Sequence, residues 1–201
     1  MKKLAIILAL VALCFSCQTK EAKNDAIFSG TIENIEFSKT ITVESIDGLK
    51  YEIEINEDGT FLDTLQLNGG MYTITAPNSY TYAYINKGGR LILDEKGAAM
   101  EAFVTYSGDH SEFNNYLFNK NKTDKAFSQE NFELDEEAFI AKIENQKSNF
   151  ENNLKAIKGL DKALLDQEIK AVNYWALSKM QLFKIHNEKY PITPKKGFRP
   201  I

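Results

Sequence analysis

Between Ala26 and Ser107 apolar residues recur on every second position, and Gly, Asn, Asp or Pro breaks the pattern at short intervals. A segment with this period is apolar on one face when extended, so it must bury that face against another layer. Leu49, Tyr51, Ile53 and Ile55 alternate with Lys50, Glu52 and Glu54 as the clearest case. Predicted strands also cover Ile27 to Glu33, Lys39 to Ile46, Phe61 to Leu67, Met71 to Ala76, Tyr80 to Tyr84, Arg90 to Asp94 and Ala102 to Tyr106. Asp47-Gly48, Asn56-Glu57-Asp58-Gly59, Asn68-Gly69-Gly70, Pro77-Asn78 and Lys87-Gly88-Gly89 supply the turns between them. About seven short strands so punctuated predict an antiparallel β-sandwich over residues 26–107.

At Gly108 the period changes. Asp109 or Ser111 is positioned to cap a short helix bearing Phe113, Tyr116 and Leu117 on one side, and Asn119 to Gln129 reads as a polar connection. Asp135 is the expected cap of a long helix with the apolar stripe Phe139, Ile143, Phe150, Leu154 and Ile157, ended by Gly159. A second long helix starts near Asp161 and carries Leu165, Ile169, Val172, Ala176, Met180 and Phe183, with Leu164, Trp175 and Leu182 widening that face. So short a break predicts an antiparallel helix pair within a helical region over 108–190. The fold class expected is therefore α+β.

The amino terminus carries a separate message. Lys2 and Lys3 precede the apolar run Leu4 to Leu13, and Ser16 stands directly before Cys17. The run is about half of the ~20 residues needed to span a bilayer as a helix. It reads as a secretory signal over 1–16, cut so that Cys17 becomes a lipid-bearing terminus. Cys14 and Cys17 are the only cysteines, and their Cys-x-x-Cys spacing is accidental because Cys14 leaves with the signal. Residues 17–25 form a polar tether, and Gln18 is not an acidic retention signal. The expected address is the cell envelope, lipid-anchored to the outer membrane and facing the periplasm. Residues 191–201 hold three of the four prolines and read as a linker or tail. A further domain beyond Ile201 is the favoured expectation, a docked tail the alternative.

Net charge is −4 at pH 7, and removing Lys2 and Lys3 makes the chain more acidic still, so it lacks the basic footprint of a nucleic-acid binder. His110 and His186 lie a whole helical hairpin apart and read as surface or capping residues rather than metal ligands. Glu52 and Glu54 share a strand face, but their alternation with an apolar face reads as solvent exposure. The sequence contains no Ser-His-Asp set, Gly-x-Ser-x-Gly elbow or nucleotide loop, and neither a cofactor nor a metal is expected. Tyr80, Tyr82 and Tyr84 form the one suggestive row. Such a row either stacks on sugars or a partner peptide, or fills a sandwich core, which is its commoner use.

Gly30-Thr31-Ile32, Asp58-Gly59-Thr60-Phe61 and Gly70-Met71-Tyr72-Thr73-Ile74, with the lipoprotein signal before them and a helical segment and Tyr190-Pro191 to Pro200 after them, resemble the N-terminal region of lipid-anchored TlpA/ResA-like thiol:disulfide oxidoreductases. The resemblance implies a non-catalytic leader domain that holds, orients or dimerises a reductase, or recognises its substrates. The Cys-x-x-Cys thioredoxin domain of that family is absent from this sequence, so no catalytic residue is carried over. Expected partners are the membrane through Cys17, a downstream thioredoxin domain or another envelope protein, and a second copy as a homodimer. A self-contained envelope lipoprotein binding a glycan, peptide or protein is the alternative.

Overall fold

The computed structural model describes residues 25–36, 38–97 and 103–189. Within them the alternating region forms eight strands: β1 (Asp25–Ile32), β2 (Thr40–Ser45), β3 (Lys50–Glu54), β4 (Thr60–Gln66), β5 (Gly70–Thr75), β6 (Tyr80–Ile85), β7 (Arg90–Lys96) and β8 (Phe103–Gly108). They build two four-stranded sheets, in the orders β4-β1-β7-β8 and β3-β2-β5-β6. Phe28, Phe61, Leu91 and Leu93 of the first sheet and Ile41, Val43, Ile53 and Ile74 of the second fill one shared core. The α+β architecture, with a sheet region followed by helices, is as expected. Its strands begin at Asp25 and end at Gly108, one residue outside each predicted boundary. The predicted signal, Cys17 and the Pro-bearing segment lie outside the described residues.

One pairing departs from the antiparallel expectation. β1 and β7 run parallel, with Phe28 beside Leu91 and Gly30 beside Leu93. Neighbours joined by a tight turn must be antiparallel, but these strands are far apart in sequence and no turn dictates their direction. Gly30 permits their close approach, since a Cβ there would lie 1.7 Å from the Leu93 carbonyl oxygen.

Helix α1 (Ser111–Lys125) closes one side of the sandwich. The edge strands on that side are β6 and β8, and each would otherwise present unpaired backbone groups. Asn114, fully buried, accepts a hydrogen bond from the Tyr84 amide (2.7 Å) and donates one to the Tyr84 carbonyl (2.9 Å). Asn115 does the same to Tyr106, at 2.8 and 2.9 Å. Further along, Asn121 and Lys125 donate to the Tyr80 carbonyl at 3.4 and 3.1 Å, and the Phe118 ring meets Phe103 edge-on. The helix therefore lies along both edges at once. On the opposite side the Tyr51 hydroxyl of β3 donates to the Gln66 carbonyl of β4 at 2.6 Å.

Two local expectations are corrected here. Neither Asp109 nor Ser111 caps α1. The N-cap is His110 in the left-handed conformation (φ 53°) with no side-chain cap bond, and Asp109 instead accepts from the Arg90 amide at 2.8 Å. The polar stretch from Asn119 is helical as far as Lys125 rather than a connection, because its amides and lysines satisfy strand edges instead of forming an apolar stripe.

Helices α2 (Glu136–Ala156) and α3 (Lys162–Lys189) form the antiparallel pair. Phe139 stacks on Phe183 with centroids 4.1 Å apart, while Phe150 meets Trp175 at 5.1 Å. Asp135 accepts from the Ala138 amide at 2.8 Å and Asp161 from the Ala163 amide at 2.8 Å, so both predicted starts hold. Leu182 does not join the buried face and is 48% exposed. Phe150, Leu154, Leu164 and Val172 pack on Phe113, Tyr116 and Leu117 of α1, which stands between the hairpin and the sandwich.

Replacing Asn115 by Ala strands the Tyr106 amide and carbonyl, so a loss of about 2–4 kcal/mol is expected in urea unfolding, against less than about 0.5 kcal/mol for exposed Asn119→Ala.

Candidate functional site

Strand β6 positions the tyrosine row. Thr81, Ala83 and Ile85 point inward and are buried, so Tyr80, Tyr82 and Tyr84 take the outer face of the β3-β2-β5-β6 sheet. The core-filling use of the row is therefore corrected. Alternation establishes that the three share a face, and the smaller Thr and Ala beside them occupy the crowded interior.

The row then divides. Tyr84 lies against the helical layer, with its ring 4.9 Å from His110 and 6.3 Å from Phe113. Tyr80 and Tyr82 remain open, at 47% and 42% exposure. Their rings meet edge-on with centroids 5.5 Å apart, and their hydroxyls are 3.3 Å apart. That hydroxyl contact, followed by partial burial, raises the Tyr82 phenol above its ordinary pKa.

Cross-strand register extends the surface sideways. Tyr80 stands beside Thr75, Thr75 beside Thr42 and Thr42 beside Glu52, while Tyr82 stands beside Thr73 and Thr73 beside Glu44. Glu52 is paired with Lys50 at 2.6 Å, which holds its carboxyl below the usual range. The result is a pleated face of aromatic edges and hydroxyls, with the carboxylates of Glu44 and Glu52 on its β2 and β3 side and the Lys125 ammonium beside Tyr80 at the other.

Two supports hold the open tyrosines in place. The turn before Tyr80 is pinned by Glu95, a carboxylate only 1% exposed on an inward position of β7. Asn78 donates to Glu95 at 3.0 Å and to the Asn34 carbonyl at 2.6 Å, and the Ser79 hydroxyl donates to the second Glu95 oxygen. The other support is Lys125, whose ammonium lies 5.9 Å from the Tyr80 ring centre. The end of α1 that carries it is tied to α3 through Asp124, which accepts from Trp175 Nε1 at 2.7 Å and from Lys179 at 2.6 Å.

The remaining sequence candidates fall elsewhere. Glu52 and Glu54 are exposed, as expected. His110 and His186 sit at opposite ends of the helical layer, the second with its ring 5.6 Å from Phe132. Cys17 lies outside the described residues. Glu95 was not singled out by the sequence reading, although a Glu on the apolar phase of a strand is a legible anomaly. A groove of about 430 Å³ between the first turn of α2 and the last turns of α3, floored by Phe139, Met180 and Phe183, carried no sequence signal of its own.

Comparison adds no relative. No family model, curated protein or solved structure matches the chain. The chemistry of the face must be read from its own residues: it offers stacking edges and neutral hydroxyl donors and acceptors, which suit a neutral, hydrogen-bonding ligand such as a sugar or an extended peptide.

Burial works to raise the Asp124 pKa, but the hydrogen bonds from Lys179 and Trp175 outweigh it and hold the carboxyl below its ordinary 3.8. A carboxyl depressed on folding contributes stability that is present above its unfolded pKa and lost as pH falls through its folded one. The stability gap between the natural chain and Asp124→Asn is therefore expected to be widest near neutrality and to shrink below about pH 4 in pH-dependent urea unfolding.

Proposed function

We propose that this chain is the non-catalytic front module of an envelope thioredoxin-like thiol:disulfide oxidoreductase, lipid-anchored through Cys17 and facing the periplasm from the outer membrane. Its role is to position the reductase or to bind its partners. The order of parts carries the reading: a cysteine-directed signal, a β-sandwich, a helical hairpin and a proline-bearing segment.

The direction of the chain through the fold supports a positioning role. Ile27, near the start of β1, donates to the Gly89 carbonyl, and the adjoining Arg90 is bonded to Asp109. The turn between α2 and α3 lies at this same end, where Ile157 to Leu160 share a small groove with His110 and Phe113. From there α3 runs past Asp124 at the other end of α1, a course of about 42 Å for its 28 residues. An anchor joined before β1 and a domain joined after α3 would thus be held apart at opposite ends. Reading the gene beyond the Ile201 codon tests the proposal. A thioredoxin-like domain with Cys-x-x-Cys in frame is expected, and a stop codon with no such domain refutes it.

The open Tyr80–Tyr82 pair favours a second reading, in which the outer face itself holds a glycan or an extended peptide. In that case Tyr82→Ala lowers affinity on a glycan and peptide array about tenfold, while urea stability changes by less than about 0.5 kcal/mol. A face that captures nothing on such arrays sinks this reading and leaves the first standing.

A further inference from the structure

The groove between α2 and α3 lies where α3 ends. Phe139, Met180 and Phe183 form its floor, Glu136 and Ile140 stand on one side, and Lys184, Asn187 and Glu188 on the other. Glu136 and Ile140 are one turn apart on α2, as are Met180, Lys184 and Glu188 on α3, so the groove follows the helix axes for about two turns. It opens outward over Glu137 and Ala141, which share a second depression with Glu136 and Ile140.

Acids in the first turn of a helix are ordinary, because the macrodipole favours them. At this groove they accumulate. Glu136, Glu137 and Glu188 border it against one cation, Lys184, whose contact with Glu188 is long (3.9 Å) and exposed on both sides. A fitting occupant therefore brings apolar side chains for the floor and positive charge for the rim.

Residues 190–201 follow α3 directly and have that composition. They carry Tyr190, Ile192, Phe198 and Ile201 together with Lys195, Lys196 and Arg199, and no acid, in a chain whose net charge is −4. Their reach is sufficient. Pro191 and Pro194 are unsuited to extending α3 and favour a change of direction. From Glu188 back to Met180 the groove runs about 12 Å at 1.5 Å per residue, and seven extended residues from Lys195 span about 23 Å. Attachment at the mouth of the groove also gives this segment an effective concentration of about millimolar, which a separate molecule must match by tighter binding.

We propose that residues 190–201 fold back into the α2–α3 groove, with Phe198 on its floor and Lys195 and Lys196 against Glu136, Glu137 and Glu188. The docked segment fixes the direction in which any following sequence leaves the fold. The inference stands on the groove and the segment alone and holds under either functional reading above.

Residues 18–201 are the material for the test, since they lack cysteine and their described part closes its own cores. Arg199→Cys is combined either with Ala141→Cys at the groove or with Ile185→Cys. Ile185 is 51% exposed, lies nearer the start of the segment and does not line the groove, so an undocked segment reaches it at least as readily. Under mild oxidation the Ala141 pair should close an internal disulfide at least about tenfold faster than the Ile185 pair. Adding Phe198→Ala, or Lys195→Glu with Lys196→Glu, should remove that excess while far-UV circular dichroism stays unchanged. Equal rates at the two positions overturn the proposal and leave the groove to another molecule. An excess untouched by both sets of changes overturns it as well. So does a disulfide-linked dimer through Ala141→Cys in place of the internal link, which gives the groove to a second copy.

Discussion

Two adjacent side-chain amides hold the two halves of this fold together. A primary amide carries one acceptor and two donors, so it can complete a strand's backbone pairing much as a neighbouring strand would. Asn114 and Asn115 project about 100° apart from α1, one towards Tyr84 on the edge of one sheet and one towards Tyr106 on the edge of the other. Packed sheets stand about 10 Å apart and a helix with its side chains is about as wide, so α1 fits between two edges without strain. The sandwich is thus closed by a helix on its β6 and β8 side, and the helical hairpin docks on the back of that same helix. Loss of α1 would open both sheets and undock the hairpin together.

A second polar device works at the far end of the sandwich. Glu95 spends its carboxylate on Asn78 and Ser79 of the facing sheet, fixing the turn that leads into Tyr80. A buried carboxylate with neutral partners costs desolvation, and an apolar residue there would pack more cheaply. What the carboxylate supplies is direction: the turn has one hydrogen-bonded position, and the exposed tyrosine pair inherits it. The fold therefore places its directional bonds at the edges and ends, and its undirected apolar packing in between.

The period of two made the eight strands legible, because burial on one face leaves its mark on every second residue. Pairing partners left no such mark. Nothing in the alternation of Phe28, Gly30 and Ile32 tells that β7 lies parallel beside them, since that contact is made between backbones. The extent of α1 was hidden for a related reason. A helix that satisfies strand edges needs Asn and Lys where a helix on an apolar layer needs Leu, so its sequence resembles a loop. The tyrosine row shows the limit from the other side: alternation groups Tyr80, Tyr82 and Tyr84, but only the neighbouring Thr81, Ala83 and Ile85, once seen buried, tell which face is outside. Leu182 was assigned to the core because it is apolar, and although it stands five turns from buried Leu164 it is 48% exposed.

The parallel placement of β1 has a mechanical consequence. β1 is hydrogen-bonded on both sides along its length, to β4 from Asp25 to Thr31 and to β7 from Ile27 to Ile32. Tension entering at Asp25 along the strand, and resisted from the far end of α3, would load both ladders lengthwise. Their bonds would then have to yield nearly together, whereas bonds pulled open from one end fail in turn. At the other terminus the load falls on side-chain packing between α2 and α3, with no such ladder to share it. Under a stretching force the hairpin would give way first, and the strand at the amino-terminal end would hold.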